Sequence, residues 1–485
     1  MRLPHFPILA AACVLLHGCA AGPDYVKPDV ETPAAYREKP PVNWKPAQPS
    51  DDAKRGRWWE AFGDPELNGL VEQVNVSNQN LRAAEARYRQ AQALVASSRS
   101  AFFPTLDASA SIVRSRSPVG ALGGTTAGRI VTNRSAGLEA GWEADVWGRV
   151  RRTVESSEAG AQASAADLES ARLSAQAELA TSYLQLRVLD VQRRLLEDSI
   201  AAFQKSLDLT NNRYVAGVVG KVDVVQAETQ LRSTQAQAVD IGIQRAQLEH
   251  AIALLIGKAP SNFSLPQGPL RLSLSPVPLT LPSELLERRS DIAAAERRVA
   301  AANARIGVAQ SAYFPSISLT GTLGSRASDP SNWFTTASRF WSIGPAILMP
   351  LFDAGLRRSQ TDQAMAVYDE TVADYRQTVL NAFREVEDNL ATLRILEEEA
   401  RIQDEAVRAA RESVTLTNNQ YKAGIVSFLN VAIVQTAQLN NERTAVGILG
   451  QRLTAAVALV KALGGEWSVA LLPTSEQLRE RPAQR

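Results

Sequence analysis

Apolar residues recur at alternating four- and three-residue intervals along two long stretches of this chain. One stretch carries Leu189, Leu196, Ile200, Phe203 and Leu207, and the other Val379, Phe383, Val386, Leu390 and Leu393. Such spacing makes a coiled-coil seam, narrower than the face of an ordinary globular helix. Neither Gly nor Pro interrupts residues 161–216 or 356–423. At 1.5 Å per residue, the second run would reach about 100 Å if unbroken. Small residues fill many neighbouring positions, so these helices can also pack closely sideways. The pattern predicts long helices over about 150–211, 219–256, 354–418 and 427–463.

Elsewhere the period drops to two. In FPTLDASASIVRS, Leu106, Ala108, Ala110 and Ile112 share one face, with Thr105, Asp107, Ser109 and Ser111 on the other. SAGLEAGWEADVW sets Ala136, Leu138, Ala140, Trp142, Ala144 and Val146 against Ser135, Glu139, Glu143 and Asp145. Further along, Ile317, Leu319 and Leu323 oppose Ser316, Ser318, Thr320 and Thr322, and Trp341, Ile343, Ile347, Met349 and Leu351 form one face of a last strand. Strands are predicted over about 102–115, 132–147, 313–326 and 338–352. Alternation over about ten residues with aromatics near the ends fits strands that cross an outer membrane. Four strands are too few to close a barrel, whose minimum is about eight, and an open edge in lipid strands its backbone polar groups. The strands must therefore be shared among copies: two would give about eight strands and little lumen, three about twelve and room for a channel. Asp107, Glu139, Glu143 and Asp145 would then face that lumen.

The chain repeats itself. LTNNRYVAG at 209–217 returns as LTNNQYKAG at 416–424. Internal repeats mean duplicated structural units, and the Pro-rich stretch 258–282 separates two of them, 61–257 and 283–463, followed by a tail over 464–485. Each unit runs helix, strand, strand, long helical pair. Asn and Gly tolerate the left-handed backbone of a helix C-cap, so each repeated phrase reads as the turn between two long helices.

Composition narrows the class. Basic and acidic residues balance, 52 against 51, so no clustered positive footprint for nucleic acid is expected. Residues 1–18 read as a secretory signal: Arg2, then an apolar run of about a dozen residues, too short to span a bilayer. LHGC at 16–19 resembles a lipobox, with His17 in place of the usual small residue, and marks Cys19 for acylation. A Pro-rich strap over 19–60 follows. His250 is then the only histidine of the mature chain, on a helical pattern. Without a His/Cys cluster or a second catalytic group, no catalytic residue, metal site or cofactor is expected. GALGG at 120–124 lies between two strands, and reads as a surface loop at the barrel mouth rather than a phosphate loop.

RWWEAFGDPELNGLVEQVNVSNQNLRAAEARYRQAQA (57–93) resembles the entry segment of the outer membrane factor family, the TolC-like channels of tripartite efflux pumps. LLERRSDIAAAERRVAAANARIGVAQSAYFPSISLTG (285–321) is similar to its second-half signature, with Ser290 where Pro is usual. The lipobox points to the NodT-type lipoprotein branch. The resemblance implies a mainly α fold with a membrane β-barrel part: a homotrimer with a 12-stranded barrel, a 12-helix periplasmic tunnel and a mixed equatorial region. It further implies a passive exit duct for small molecules, partnered by a periplasmic adaptor and an inner-membrane RND-type transporter and embedded in outer-membrane lipid. A duct for type I protein secretion and a non-conducting periplasmic tether are the rival readings. By resemblance, Ala216, Gly217, Val218, Ala423, Gly424 and Ile425 are the tips where the adaptor docks. Some relatives pair an acid at the place of Asp223 with an Arg near the second tip, where this chain has Val426. The expected gate is therefore an apolar and amide constriction of Leu429, Asn430 and Ile433, with Tyr214 or Tyr421 hydrogen-bonding between hairpins.

Overall fold

The computed structural model describes residues 20–38, 57–116, 130–270, 286–465 and 467–479. The signal segment, Cys19, the GALGG loop, part of the strap, the second half of the inter-repeat linker and the last residues lie outside them.

Helices α1 (Pro65–Ser77) and α2 (Gln79–Ser100) lead into strands β1 (Thr105–Arg116) and β2 (Ile130–Ala144), then α3 (Arg149–Val215) and α4 (Lys221–Leu255). The second half gives α5 (Ser290–Ser311), β3 (Ser316–Ala327), β4 (Arg339–Leu348), α6 (Leu356–Lys422) and α7 (Phe428–Ala462), and a short α8 (Ser475–Arg479) ends the described chain. The two halves have the same order of elements, as the repeat predicts.

α3 and α6 are each 67 residues long, about 100 Å. α4 and α7 return only 35 residues. The shortfall is filled by the short helices. Asn78 caps α2 through its side-chain oxygen, 3.1 Å from the Leu81 amide, and its amide nitrogen donates to the Leu255 carbonyl at the end of α4, 2.8 Å away. α4 and α2 thus stack end to end beside α3. In the second half Arg289, at the start of α5, donates to the Ala462 carbonyl at the end of α7, 3.0 Å away. Each half is a pair of rods, and the seam residues hold the pairs: Leu189, Leu196 and Phe203 are buried with Leu231 and Ile241, and Val386, Leu390 and Leu393 with Ala455 and Leu459. α7 is long and apolar enough by itself to cross a bilayer, but one face of it packs along α6 and α3.

The helices overrun their predicted ends at the tips, because Asn211, Asn212, Asn418 and Asn419 stay helical and only the following glycines stop them. The strands are shorter than predicted. Val146 and Asp145 lie beyond β2, and Met349 and Leu351 beyond β4. Asp145 is corrected from a barrel position to a helix-starting one. Gly148, the residue before α3, has no side chain to cap with, and Asp145 accepts from the amides of Val150 and Arg151 at 2.8 and 2.9 Å instead. Asp353 does the same for α6, accepting from the amides of Gly355 and Arg357.

Around the middle of the rods, Trp58, Trp59 and Phe62 with α1 cover Tyr183, Leu184 and Leu186 of α3. This equatorial layer was expected to be mixed; among the described residues it is helical and extended, and strands occur only in one antiparallel sheet ordered β1-β2-β3-β4.

Candidate functional site

Three regions can act on something passing through or docking: the sheet, the two hairpin tips, and the strap beside the sheet. In the sheet, antiparallel register places side chains by face. Leu106 pairs with Ala140, Ala108 with Leu138, Leu138 with Leu323, and Leu323 with Trp341. Leu106 is 69% exposed, Trp341 74% and Ile343 68%, an unpartnered apolar surface too broad for water. The opposite face carries Asp107 directly across from Glu139, and Glu143 across from Ser318. Glu143 is tied to Arg149 by two bonds of 2.9 and 2.6 Å. Among the described residues, both outer strands, β1 and β4, have a free edge.

At the first tip, Val218 donates to Arg213 and Gly217 to Tyr214, with Gly217 at φ 72°. At the second, Ile425 donates to Gln420 and Gly424 to Tyr421, with Gly424 at φ 78°. Both are Schellman-type caps that require glycine at the left-handed residue. Ala216 and Ala423 end the helices, and Val218 and Ile425 project outward, exposed.

The tips are joined through Tyr421. Its side chain is buried, its hydroxyl lies 3.1 Å from that of Thr210 on α3, and Phe428 meets its ring edge-on at 5.8 Å. Arg213 stacks its guanidinium 4.5 Å from the same ring and donates to the Tyr421 carbonyl. Of the two tyrosines expected to bridge hairpins, the structure selects Tyr421; Tyr214 stays exposed. Arg213 was missed. The signal available was the single Arg/Gln difference between NNRY and NNQY, which puts Arg213 where the second repeat has Gln420. Phe428 and Val431 pack inward, which turns Leu429, at 50% exposed, and Ile433, at 58%, to the other side of α7, with Asn430 exposed beside them. Asp223 lies in the first turn of α4, where a carboxylate complements the helix dipole.

Two more features had no sequence signal. Arg187, buried on α3, bonds Asp190, Glu66 and the Pro266 carbonyl, and Arg245 bonds the other Asp190 oxygen at 2.8 Å and the Leu265 carbonyl at 2.6 Å. Burial pushes the neighbouring Tyr183 phenol above its ordinary range. This network pins the start of the inter-repeat linker to the equator. The strap is pinned as well: Ala21 donates to the Trp147 carbonyl at 2.9 Å, Arg152 pairs with Asp24 at 2.9 Å, and Tyr25 donates to Glu296. Burial, then the Glu296 carboxylate, drive the Tyr25 phenol upward. Further down, the amides of Arg37 and Glu38 bond the Glu387 carboxylate on α6.

The family model described as "Outer membrane efflux protein" matches residues 70–258 and 281–465. The solvent efflux pump outer membrane protein SrpC of Pseudomonas putida is 33% identical over 472 residues, 97% of this chain and 99% of its own length. The probable efflux pump outer membrane protein TtgC of Pseudomonas putida is 31% identical over 462 residues, 95% of each chain. The solved outer-membrane channel OprN superposes with a TM-score of 0.84 at 32% identity, covering 92% of this chain and 99% of that one. With both halves matched and near-complete relatives above thirty per cent identity, this chain belongs to the outer membrane efflux protein family, a family of transport ducts in the outer membrane.

Proposed function

We propose that three copies of this chain join β4 to β1 around a closed ring and form the exit duct of a tripartite pump. The sheet with two free edges carries this reading. In lipid each unpaired edge group costs several kcal/mol, which closure removes. Three sheets of four strands give about twelve, wide enough for a lumen on the acidic face. The long hairpins continue that wall into the periplasm.

The duct is passive and makes or breaks no bond in its cargo. Energy comes from an inner-membrane RND-type transporter, reached through a periplasmic adaptor that docks on the tips at Ala216, Gly217 and Val218 and at Ala423, Gly424 and Ile425. Small molecules are the favoured cargo over secreted protein, because the relative SrpC is named for solvent efflux. Leu429, Asn430 and Ile433 narrow the closed tip, with Tyr421 holding the two hairpins of each chain together. Acylation of Cys19 is in keeping with the course of the described strap: a β-carbon on Gly148, at the foot of β2, would lie 2.9 Å from that of Ala20, so the strap passes beside the foot of the sheet.

The test is the size and conductance of the detergent-purified protein. A trimer that conducts in planar bilayers is expected, and a monomer without a conductance step overturns the reading.

A further inference from the structure

The apolar face of the sheet ends in arginine. Continuing up β1 from Ile112, the same face presents Arg114 and Arg116; Arg134 of β2 sits directly across from Ile112, and Arg339 opens β4 across from Ser325. All four stand at the end of the sheet remote from the long helices, since β1 and β3 leave their helices at Thr105 and Ser316. No Asp or Glu occupies this face on any of the four strands. Arg326, by contrast, lies on the lumen face, stacked 5.2 Å over Phe340.

Height matters for what these arginines meet. Thr105 to Arg114 is nine residues of strand, which at about 3.3 Å each and a tilt of about 40° rises about 23 Å, close to the ~25 Å apolar band of an outer-membrane barrel. Trp341, two residues from Arg339 on the same face, and Trp142 near the other end mark the two interfaces. The arginines therefore sit at the headgroup level of the outer leaflet, facing lipid. Arg134 is partly engaged, donating to the Ser328 carbonyl at 2.8 Å. Among the described residues, Arg114 and Arg339 have no acidic partner. Ring closure between β4 and β1 brings Arg339 to the same seam as Arg114, and two like charges gathered there call for an anion.

We propose that this seam binds the phosphate groups of the phosphorylated glycolipid that forms the outer leaflet, one site per junction between copies. The proposal rests on the trimeric barrel reading. Guanidinium is suited to it, because its planar fork takes two phosphate oxygens at once. The bound glycolipid would bridge neighbouring copies and steady the ring.

Native mass spectrometry of the purified trimer with diphosphorylated lipid A, its dephosphorylated form and phosphatidylglycerol tests this. About three diphosphorylated lipids per trimer are expected, with roughly tenfold weaker retention of the dephosphorylated form. Arg114→Gln/Arg339→Gln should lose retention to the same degree, Arg114→Lys/Arg339→Lys should keep most of it, and Arg326→Gln should change nothing. Equal retention of both lipid A forms, preference for phosphatidylglycerol, or an unaffected Gln double variant overturns the proposal. If the Gln variant does not assemble, the melting of wild-type trimer decides: diphosphorylated lipid A must raise it and the dephosphorylated form must not. Conductance of the same wild-type preparation separates the two readings, since a conducting trimer that ignores phosphate sinks the glycolipid site alone.

Discussion

The carbonyl oxygen of Ser77 occupies the space that a side chain on Gly257 would need. A β-carbon there would fall 2.3 Å from that oxygen, and the residue sits at φ 69°. The second half repeats the arrangement, with Gly464 at φ 88° and its absent β-carbon 2.3 Å from the Arg288 carbonyl oxygen. These two glycines let a returning helix and a short helix meet end to end, which makes each half a pair of full-length rods.

Gly257→Ala and Gly464→Ala should therefore each destabilise the protein well beyond backbone strain. Gly217→Ala is the matched control, at φ 72° with open space around it. The left-handed backbone alone costs about 1–2 kcal/mol. Thermal unfolding in detergent should rank the junction variants clearly below the tip variant; equal losses at all three would show that the close approach contributes nothing.

Tyr421 should act as the hinge pin of the tip. Tyr421→Phe removes one buried hydroxyl contact while Thr210 keeps its bond to the Ser206 carbonyl, so the cost should be about 1 kcal/mol. Arg213→Gln, which installs the second repeat's residue, removes both the ring stacking and the bond to the Tyr421 carbonyl, for about 2 kcal/mol. Single-channel recordings should show longer open times in both variants, more so for Arg213→Gln.

Leu429→Gly/Ile433→Gly should raise conductance by a different route, widening the constriction without loosening the hairpins. Both side chains are exposed, so the loss of stability should not exceed the roughly 1 kcal/mol per site that glycine costs inside a helix. A wild-type conductance in this variant counts against an apolar gate.

The features legible in the sequence share a local physical cause. The seam from Leu189 to Leu207 and that from Val379 to Leu393 were readable because a coiled coil writes its own period into the chain. The same holds for the alternation from Thr105 to Ile112. The missed features are contacts between residues far apart in sequence: Arg213 with Tyr421, Asn78 with Leu255, Arg187 with Pro266. The strand ends were overrun where a carboxylate, Asp145 or Asp353, starts the next helix. Alternation continues through Asp145, so period alone placed it in the lumen.

The acids on the polar face of the sheet should set ion preference. Asp107 and Glu139 stand directly opposite each other, a like-charge pairing that costs a sheet about 0.2–1 kcal/mol. Asp107→Asn should relieve that repulsion, so the variant should be as stable as wild type or slightly more so. In a salt gradient, its reversal potential should shift toward zero from the cation-selective side. An unchanged potential would mean that this face does not line the conducting path.

Asp190 should be the most sensitive residue of the equator. It is the carboxylate shared by Arg187 and Arg245, and it also accepts from the Gly268 amide at 3.2 Å. Asp190→Ala leaves Arg187, which is 2% exposed, without its closest buried partner, and breaking such a pair costs about 3–5 kcal/mol. Arg187→Met should cost less, because Asp190 keeps Arg245 and the apolar stem is replaced. Both should free the linker around Leu265 and Pro266, which Arg245 and Arg187 hold by their carbonyls. Limited proteolysis should cut there in both variants, fastest in Asp190→Ala. If Arg187→Met proves the worse of the two, the guanidinium's bonds to Glu66 and Pro266 carry the equator, and not the shared carboxylate.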